Sequence, residues 1–270
     1  MSRIKVEELK ARLASLDAED EDVDIHNYNG LVKDVLKSTG DRAWAEKICK
    51  TVERKIAERG GVFFDYCLLA KGVMDNLKDR NWAAKLLKNA DDSVGLNIGD
   101  DGLDVYDILE AEDSFYAIVA NYILDVLGDE SWAAEIIVYA ISECEKEKDV
   151  APGDCAYLLS CRSDKFADKV WKQILEEELT DAKCFRLADE IMAIDDRIYN
   201  KSKSWHLKNI KRAKAFMRKG IDIVEENREC DDLFDLDSAE NTLNLLDDAK
   251  LTKNFKEFKE EAYPDELESC

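Results

Sequence analysis

The chain has 270 residues, of which 46% are apolar and 37% are charged, and its formal net charge is −22. So negative a chain is disfavoured as a general binder of nucleic acid or anionic membranes. Such a charge suits a basic partner, mimicry of nucleic acid, or simply solvated acidic helix faces.

Helix-breaking residues are scarce, since proline occurs only twice, and the alternation typical of strands is absent. We therefore predict an all-α fold. No apolar run approaches the roughly 18 residues that a membrane span needs. The first residues lack the apolar core and cleavage site of a secretory signal, so the eight cysteines are expected to be reduced, in a cytoplasmic protein.

Residues 1–25 are predicted to hold an N-terminal helix over 3–16 and an acidic linker. Residues 26–227 are predicted to form five helix-turn-helix pairs, because their apolar positions follow the helical period and their aromatic markers recur mostly at about 34–40 residues. The expected pairs are 27–38 with 41–58, 62–77 with 80–92, 114–127 with 130–147, 154–161 with 164–178, and 181–196 with 203–227. The glycine- and aspartate-rich stretch 91–104 is predicted to be a loop.

Residues 228–270 are predicted to be C-terminal capping helices, near 238–249 and 252–262, followed by a loose tail. Paired helices with this period are typical of an α-solenoid, whose units bury their apolar faces only by stacking. A solenoid must also hide the apolar face at each end. The predicted architecture is therefore an α-solenoid of about five pairs with N- and C-terminal capping helices.

One motif recurs along the chain and is clearest at residues 127–140. Gly128 suits the end of one helix, and Asp129 is a good N-cap for the next. Weaker copies lie at 40–45, 78–83, 163–167 and 201–206. Because the register is fixed, we expect the tryptophans of the copies at 40–45, 78–83 and 127–140 to be largely buried packing residues rather than ligand platforms: Trp44, Trp82 and Trp132.

Residues 115–140 resemble a tetratricopeptide repeat. Two second helices match the small-large-small pattern of that family: Ala133, Ile137 and Ala140, and Ala83, Leu87 and Ala90. The first and fourth pairs depart from this pattern at its last small position, and the family's first-helix tryptophan and glycine are missing. HEAT-like pairs are the alternative. The resemblance implies a concave surface that binds peptides or partner proteins.

No motif predicts chemistry. The only histidines, His26 and His206, have no cysteine, serine or carboxylate at motif spacing. Cys155 and Cys161 lack the second ligand pair of a zinc site, and no acidic segment meets the glycine and carboxylate positions of a calcium loop. Phosphate-binding and dinucleotide-binding fingerprints are also absent. We predict no catalytic residue, no metal and no cofactor.

A basic stretch stands out at residues 201–219, with eight basic side chains and no acid. On a helical wheel the apolar residues share one half, which predicts that the basic face is not needed for the core. Two interpretations are open: a docking surface for an acidic segment or for phosphate groups, or a solvated face neutralised by acids elsewhere in the chain. The predicted binding residues are Lys208, Lys211, Arg212, Lys214, Arg218 and Lys219.

The sequence thus favours a non-enzymatic module for protein binding or scaffolding, with a protein partner. The alternative is an electrostatic binder or mimic. It would be either an acidic mimic of nucleic acid or a protein that docks an anionic ligand through helix 201–219. Apart from such mimicry, we expect no interaction with nucleic acid. A third, less favoured class is an enzyme whose residues come together only in three dimensions.

Overall fold

A computed structural model of the chain describes residues 3–18, 24–94, 112–142, 153–197, 203–227 and 236–262. These ranges contain thirteen α-helices and no strand, which confirms the all-α prediction. The first six helices are α1 (Arg3–Ala18), α2 (Ile25–Thr39), α3 (Arg42–Glu58), α4 (Phe63–Leu77), α5 (Arg80–Val94) and α6 (Glu112–Tyr122), which continues as a π-helical turn (Ile123–Leu127). The others are α7 (Glu130–Ser142), α8 (Gly153–Cys161), α9 (Asp164–Glu176), α10 (Asp181–Arg197), α11 (Lys203–Asn227), α12 (Leu236–Leu246) and α13 (Ala249–Ala262).

The predicted helix ends agree with these bounds to within a few residues. The structure places the start of the predicted loop 91–104 in α5, and the rest of that loop lies outside the described residues, as do 143–147 of the predicted third pair. Within the described ranges no helix is both long and apolar enough to cross a membrane. The five cysteines described there are free thiols.

The recurring motif is a helix cap. The carboxylate of Asp41 accepts a hydrogen bond of 2.9 Å from the backbone amide of Trp44, and Asp79 and Asp129 do the same for the tryptophans three residues after them. Such a cap satisfies an amide that has no partner inside the helix. The recurring spacing within the motif therefore follows from the geometry of a first helical turn.

The three tryptophans are only partly buried, whereas the alanine that follows each of them is completely buried. The core position of the motif is thus the alanine, with the tryptophan at its edge. The Trp82 ring stays near the surface because its Nε1 donates a 2.9 Å hydrogen bond to the Glu53 carboxylate. A polar nitrogen on a large ring favours such an edge position.

Two compact units make up the chain, residues 1–108 with 115–134 and residues 109–114 with 135–270. In the first unit α2 packs against α3 and α4, and α4 packs against α5 and the π-helical turn. The N-terminal helix α1 packs on α2 and buries Leu9 and Leu16. Its end is fixed by a polar cluster, in which the Tyr28 hydroxyl donates to Asp17 and accepts from the Lys55 ammonium.

The second unit is centred on the long helix α11, which packs against α10 and also contacts α9, α12 and α13. Its apolar side meets aromatic residues, with the rings of Trp171 and Phe216 packed edge to face at 5.7 Å. Gly220 allows the closest approach, because a Cβ there would lie 2.8 Å from the Phe185 ring. Helix α11, whose sequence predicted a docking surface, is therefore bordered on several sides.

Candidate functional site

The first turns of the basic helix α11 are paired with acids of α9. The Lys208 ammonium lies 2.7 Å from Asp164 and 3.3 Å from Asp168. The Arg212 guanidinium also bonds to Asp168, and it donates a 2.7 Å hydrogen bond to the Asn209 side chain. Burial alone would raise the pKa of Asp168, but the hydrogen bonds and charges of Arg212 and Lys208 outweigh it and lower that pKa.

The later turns of α11 are paired with a different acid. Asp248 lies 3.3 Å from the Lys214 ammonium and 3.5 Å from the Arg218 guanidinium. Its pKa is lowered first by the backbone amide of Leu251, which it caps at the start of α13, and further by Lys214. One carboxylate thus joins α11 to the first turn of α13.

Lys219 has a separate partner, the carboxyl end of α9. Its ammonium donates to the backbone oxygens of Leu175, at 2.7 Å, and Glu177. These oxygens belong to a helix end that has no further amides to bond, where a cation is favourable. Lys183 has a similar contact, since it is buried and donates to the Ser142 oxygen at the end of α7.

These contacts correct the prediction that the six cations share a face not needed for the core. Arg212 is only 8% exposed, and five of the six side chains bond to other elements of the same unit. Lys211 is exposed and has no ion pair with the residues that the structure describes. The helical wheel failed because it shows one helix by itself, whereas α9 and α13 approach α11 on the side that the wheel assigned to solvent.

A groove of about 550 Å³ lies between α2 and α4 in the first unit. Sequence reasoning missed this α2–α4 groove. Its lining combines cations and amides with a single acid: Asn29, Lys33, Lys71, Asp75, Asn76 and Lys78, together with His26. Lys71 is 3.2 Å from Asp75 with both side chains more than half exposed, so this pair is solvated and contributes little to stability. Lys33 and Lys78 are exposed.

Asn29 lies at the floor of the α2–α4 groove. Its side-chain nitrogen donates a 3.0 Å hydrogen bond to the Leu68 backbone oxygen, while its Oδ1 is buried and lacks a partner among the described residues. Helix α4 accommodates this amide because residue 72 is a glycine, where a Cβ would lie 1.9 Å from Oδ1. A glycine inside a helix usually weakens it, so Gly72 was the signal in the sequence for this close approach.

Exposed apolar side chains lie at the amino end of the same helix α4. Val62 and Phe64 are 44% and 40% exposed, and the Phe64 ring packs edge to face on Tyr122 at 6.3 Å. Two exposed apolar side chains of this kind are ordinary on a protein surface and do not by themselves mark a contact site.

The two histidines belong to different units. His26 lines the α2–α4 groove in the first unit, and the His206 ring lies edge to face with the Trp205 ring on α11 in the second unit. Among the side chains described, no three of histidine, cysteine, aspartate or glutamate are grouped closely enough to hold a metal ion.

Comparisons of the chain with protein-family models, with curated proteins and with solved structures gave no match. The residues that the structure describes define an all-α protein.

Proposed function

We propose that this chain is a non-enzymatic protein-binding module of stacked helix pairs, and that the α2–α4 groove docks an extended partner segment that carries carboxylates. The observation that carries the proposal is the lining of the groove, where cations and amide side chains gather in a chain of net charge −22. Ammonium groups and side-chain amides are donors for carboxylate and peptide oxygens.

The packing within the first unit supports the stacked arrangement. Helix α2 contacts its partner α3 and also α4, which begins the next pair, and α4 in turn contacts α5 and the π-helical turn of the third pair. Contacts of each pair with the next are what a solenoid requires. Helix α1 buries Leu9 and Leu16 and exposes most of its other described side chains, as a terminal cap would.

The overall negative charge restricts how an acidic segment can bind. Charges on the surface are screened beyond about 8–10 Å near physiological salt, so the nearest groups decide the contact. The lysines of the groove attract carboxylates, whereas acidic surfaces elsewhere repel them. Repulsion outside a site suppresses other binding positions and so adds specificity.

The proposal is tested with a fluorescein-labelled peptide, Gly-Glu-Leu-Glu-Glu-Leu-Glu with a free carboxyl terminus, and an amidated control in which glutamine replaces each glutamate. Fluorescence anisotropy should show binding of the acidic peptide alone. Lys33→Gln with Lys78→Gln should weaken it by about tenfold, because two exposed ion pairs contribute up to about 1 kcal/mol each and about 1.4 kcal/mol is a tenfold change in affinity.

Lys37→Gln is the matched control, since Lys37 is exposed on α2 but does not line the groove. Equal affinity for the two peptides, or an equal loss in the control variant, would show that the groove does not recognise carboxylates. The absence of enzymatic activity and the cytoplasmic location stay predictions from the sequence.

A further inference from the structure

The N-terminal helix α1 packs on α2, which forms one wall of the α2–α4 groove. Arg12 on α1 lies beside Gly30, since a Cβ built on Gly30 would be 3.3 Å from the Nη2 atom of Arg12. Gly30 is also one of the residues that line the groove. The two observations together place the guanidinium of Arg12 at the edge of the groove, next to a residue that has no side chain.

Most donors of the Arg12 guanidinium have no partner in the part of the chain that the structure describes. Its Nη1 donates a 2.8 Å hydrogen bond to Asp34 on α2, which is its one polar contact with the described residues. The two side chains are 41% and 49% exposed, so this pair is solvated and contributes little to stability. A guanidinium carries five N–H donors, and those of Nε and Nη2 lie along one edge. That edge is available to a second carboxylate.

The permanent cations in the lining of the groove are lysines: Lys33, Lys71 and Lys78. An ammonium group is a compact charge that attracts a carboxylate without fixing its direction. The planar guanidinium of arginine instead forms two parallel hydrogen bonds with the two oxygens of a carboxylate. An arginine at the edge of a lysine-lined groove therefore adds a geometric preference that the lysines lack.

The α2 side of the groove suits a carboxylate. Lys33 follows Gly30 by three residues, so the two are neighbours on the surface of α2, and the Lys33 side chain is exposed. None of the described α2 residues that line the groove is an acid, whereas Asp75 lies on the α4 side. Asp34 of α2 lies outside the lining, and its charge is offset by Arg12. A carboxylate that meets Lys33 is therefore within the neighbourhood of the guanidinium.

We propose that Arg12 completes the carboxylate site of the α2–α4 groove. A carboxylate of the bound partner segment pairs with the Lys33 ammonium, and the Nε–Nη2 edge of Arg12 binds and orients the same carboxylate across Gly30. This inference rests on the function proposed above and goes beyond it, because it gives helix α1 a part in recognition. The carboxylate belongs either to an acidic side chain of the segment or to its terminus, and the test separates these two sources.

The test uses the full chain and the fluorescein-labelled acidic peptide described above, with binding followed by fluorescence anisotropy. Arg12→Gln should weaken binding about fivefold, which corresponds to about 1 kcal/mol, the upper end for one exposed ion pair. Arg12→Lys keeps the charge but loses the paired hydrogen bonds, so it should weaken binding about twofold to threefold. The acidic peptide amidated at its carboxyl terminus then identifies the carboxylate. An effect of Arg12→Gln that persists indicates a side-chain carboxylate, and one that disappears indicates the terminal carboxylate.

Two control variants separate direct binding by Arg12 from its other effects. Lys10→Gln removes the same charge from α1, but Lys10 lies about 200° around the helix from Arg12. It pairs with Glu7 at 3.1 Å, and its replacement should change the affinity little. Asp34→Asn breaks the bond between α1 and α2 from the other side, and it should leave the affinity unchanged or raise it, because it frees the guanidinium.

Three results would overturn the inference. An equal loss in Lys10→Gln would indicate general attraction to the cations of α1, and full affinity in Arg12→Lys would show that no paired hydrogen bonds form. A loss of affinity in Asp34→Asn would show that Arg12 only holds α1 on α2. Binding that depends on Lys33 and Lys78 but not on Arg12 overturns this inference alone, whereas failure of the unaltered protein to bind the acidic peptide overturns the proposed function as well.

Discussion

Replacing Gly72 by alanine tests whether the Asn29 amide is fixed at the floor of the α2–α4 groove. In an ordinary helix this change is favourable by about 1 kcal/mol, because glycine has more backbone freedom to lose. Here the new Cβ would lie 1.9 Å from Oδ1, 2.2 Å from Cγ and 2.5 Å from Nδ2 of Asn29. The amide therefore has to move, and it then loses its hydrogen bond to the Leu68 oxygen.

The expected result is a net loss of about 1–3 kcal/mol in the free energy of unfolding. Overfilling a packed contact costs about 1–3 kcal/mol, and leaving the side-chain nitrogen of Asn29 without its acceptor costs a similar amount, with partial overlap between them. The gain in helix propensity offsets about 1 kcal/mol of that loss. Urea denaturation of the unaltered protein and of Gly72→Ala measures this loss in the free energy of unfolding, provided that the free energy falls with urea concentration at the same slope in both proteins.

Gly30→Ala is the matched control, because Gly30 is also helical and its added Cβ would meet only the end of the Arg12 side chain, at 3.3 Å. It should be neutral or stabilising. In a double-mutant cycle Asn29→Ala should remove most of the penalty of Gly72→Ala, since the two positions are in contact. If Gly72→Ala proves as favourable as Gly30→Ala, the amide is not held where the structure shows it.

Two predictions concern the paired cations of α11. Arg212→Glu should lower the free energy of unfolding by about 3–5 kcal/mol, because it places an uncompensated carboxylate at a position that is only 8% exposed and next to the half-exposed carboxylate of Asp168. Lys211→Glu should change the melting temperature little, and equal melting of the two variants would contradict the pairing. Because Asp168 and Asp248 have lowered pKa values in the folded chain, their contribution to stability is present at neutral pH and is lost as the pH falls below about 4. Urea denaturation at pH 7 and pH 3 should show a smaller loss in Asp168→Asn than in the unaltered protein, and an identical loss would refute this assignment.

The helices could be predicted closely because their limits are local. In the recurring motif, the aspartate accepts a hydrogen bond from the backbone amide of the tryptophan three residues later, and the residue before the aspartate is a glycine or lysine with positive φ. These two local features end one helix and begin the next. The helical period of apolar residues then identifies the buried side. The burial of the tryptophans was harder to predict, because a large ring recurs at the same sequence spacing whether it lies at the edge of the core or at its centre.

The polar surfaces could not be predicted because their partners are distant in sequence. Arg212 and Asp168 lie 44 residues apart on different helices, and no local spacing encodes that pairing. The α2–α4 groove depends on two helices approaching closely at Gly72. Its only trace in the sequence was an unfavourable residue in the middle of an apolar helix, and the lysines around it look like any solvated face.

A basic run in an acidic protein has two physical explanations, and the contacts of α11 favour one of them. Unneutralised cations on one face would repel each other, and an external anion would relieve that repulsion. In this chain the neighbouring helices already supply the anions, with Asp168 on α9 and Asp248 on α13. Most of the charge on α11 therefore joins helices to each other. Recognition of a partner is better sought at charges that have no ion pair with the described residues, such as Lys33 and Lys78 in the α2–α4 groove.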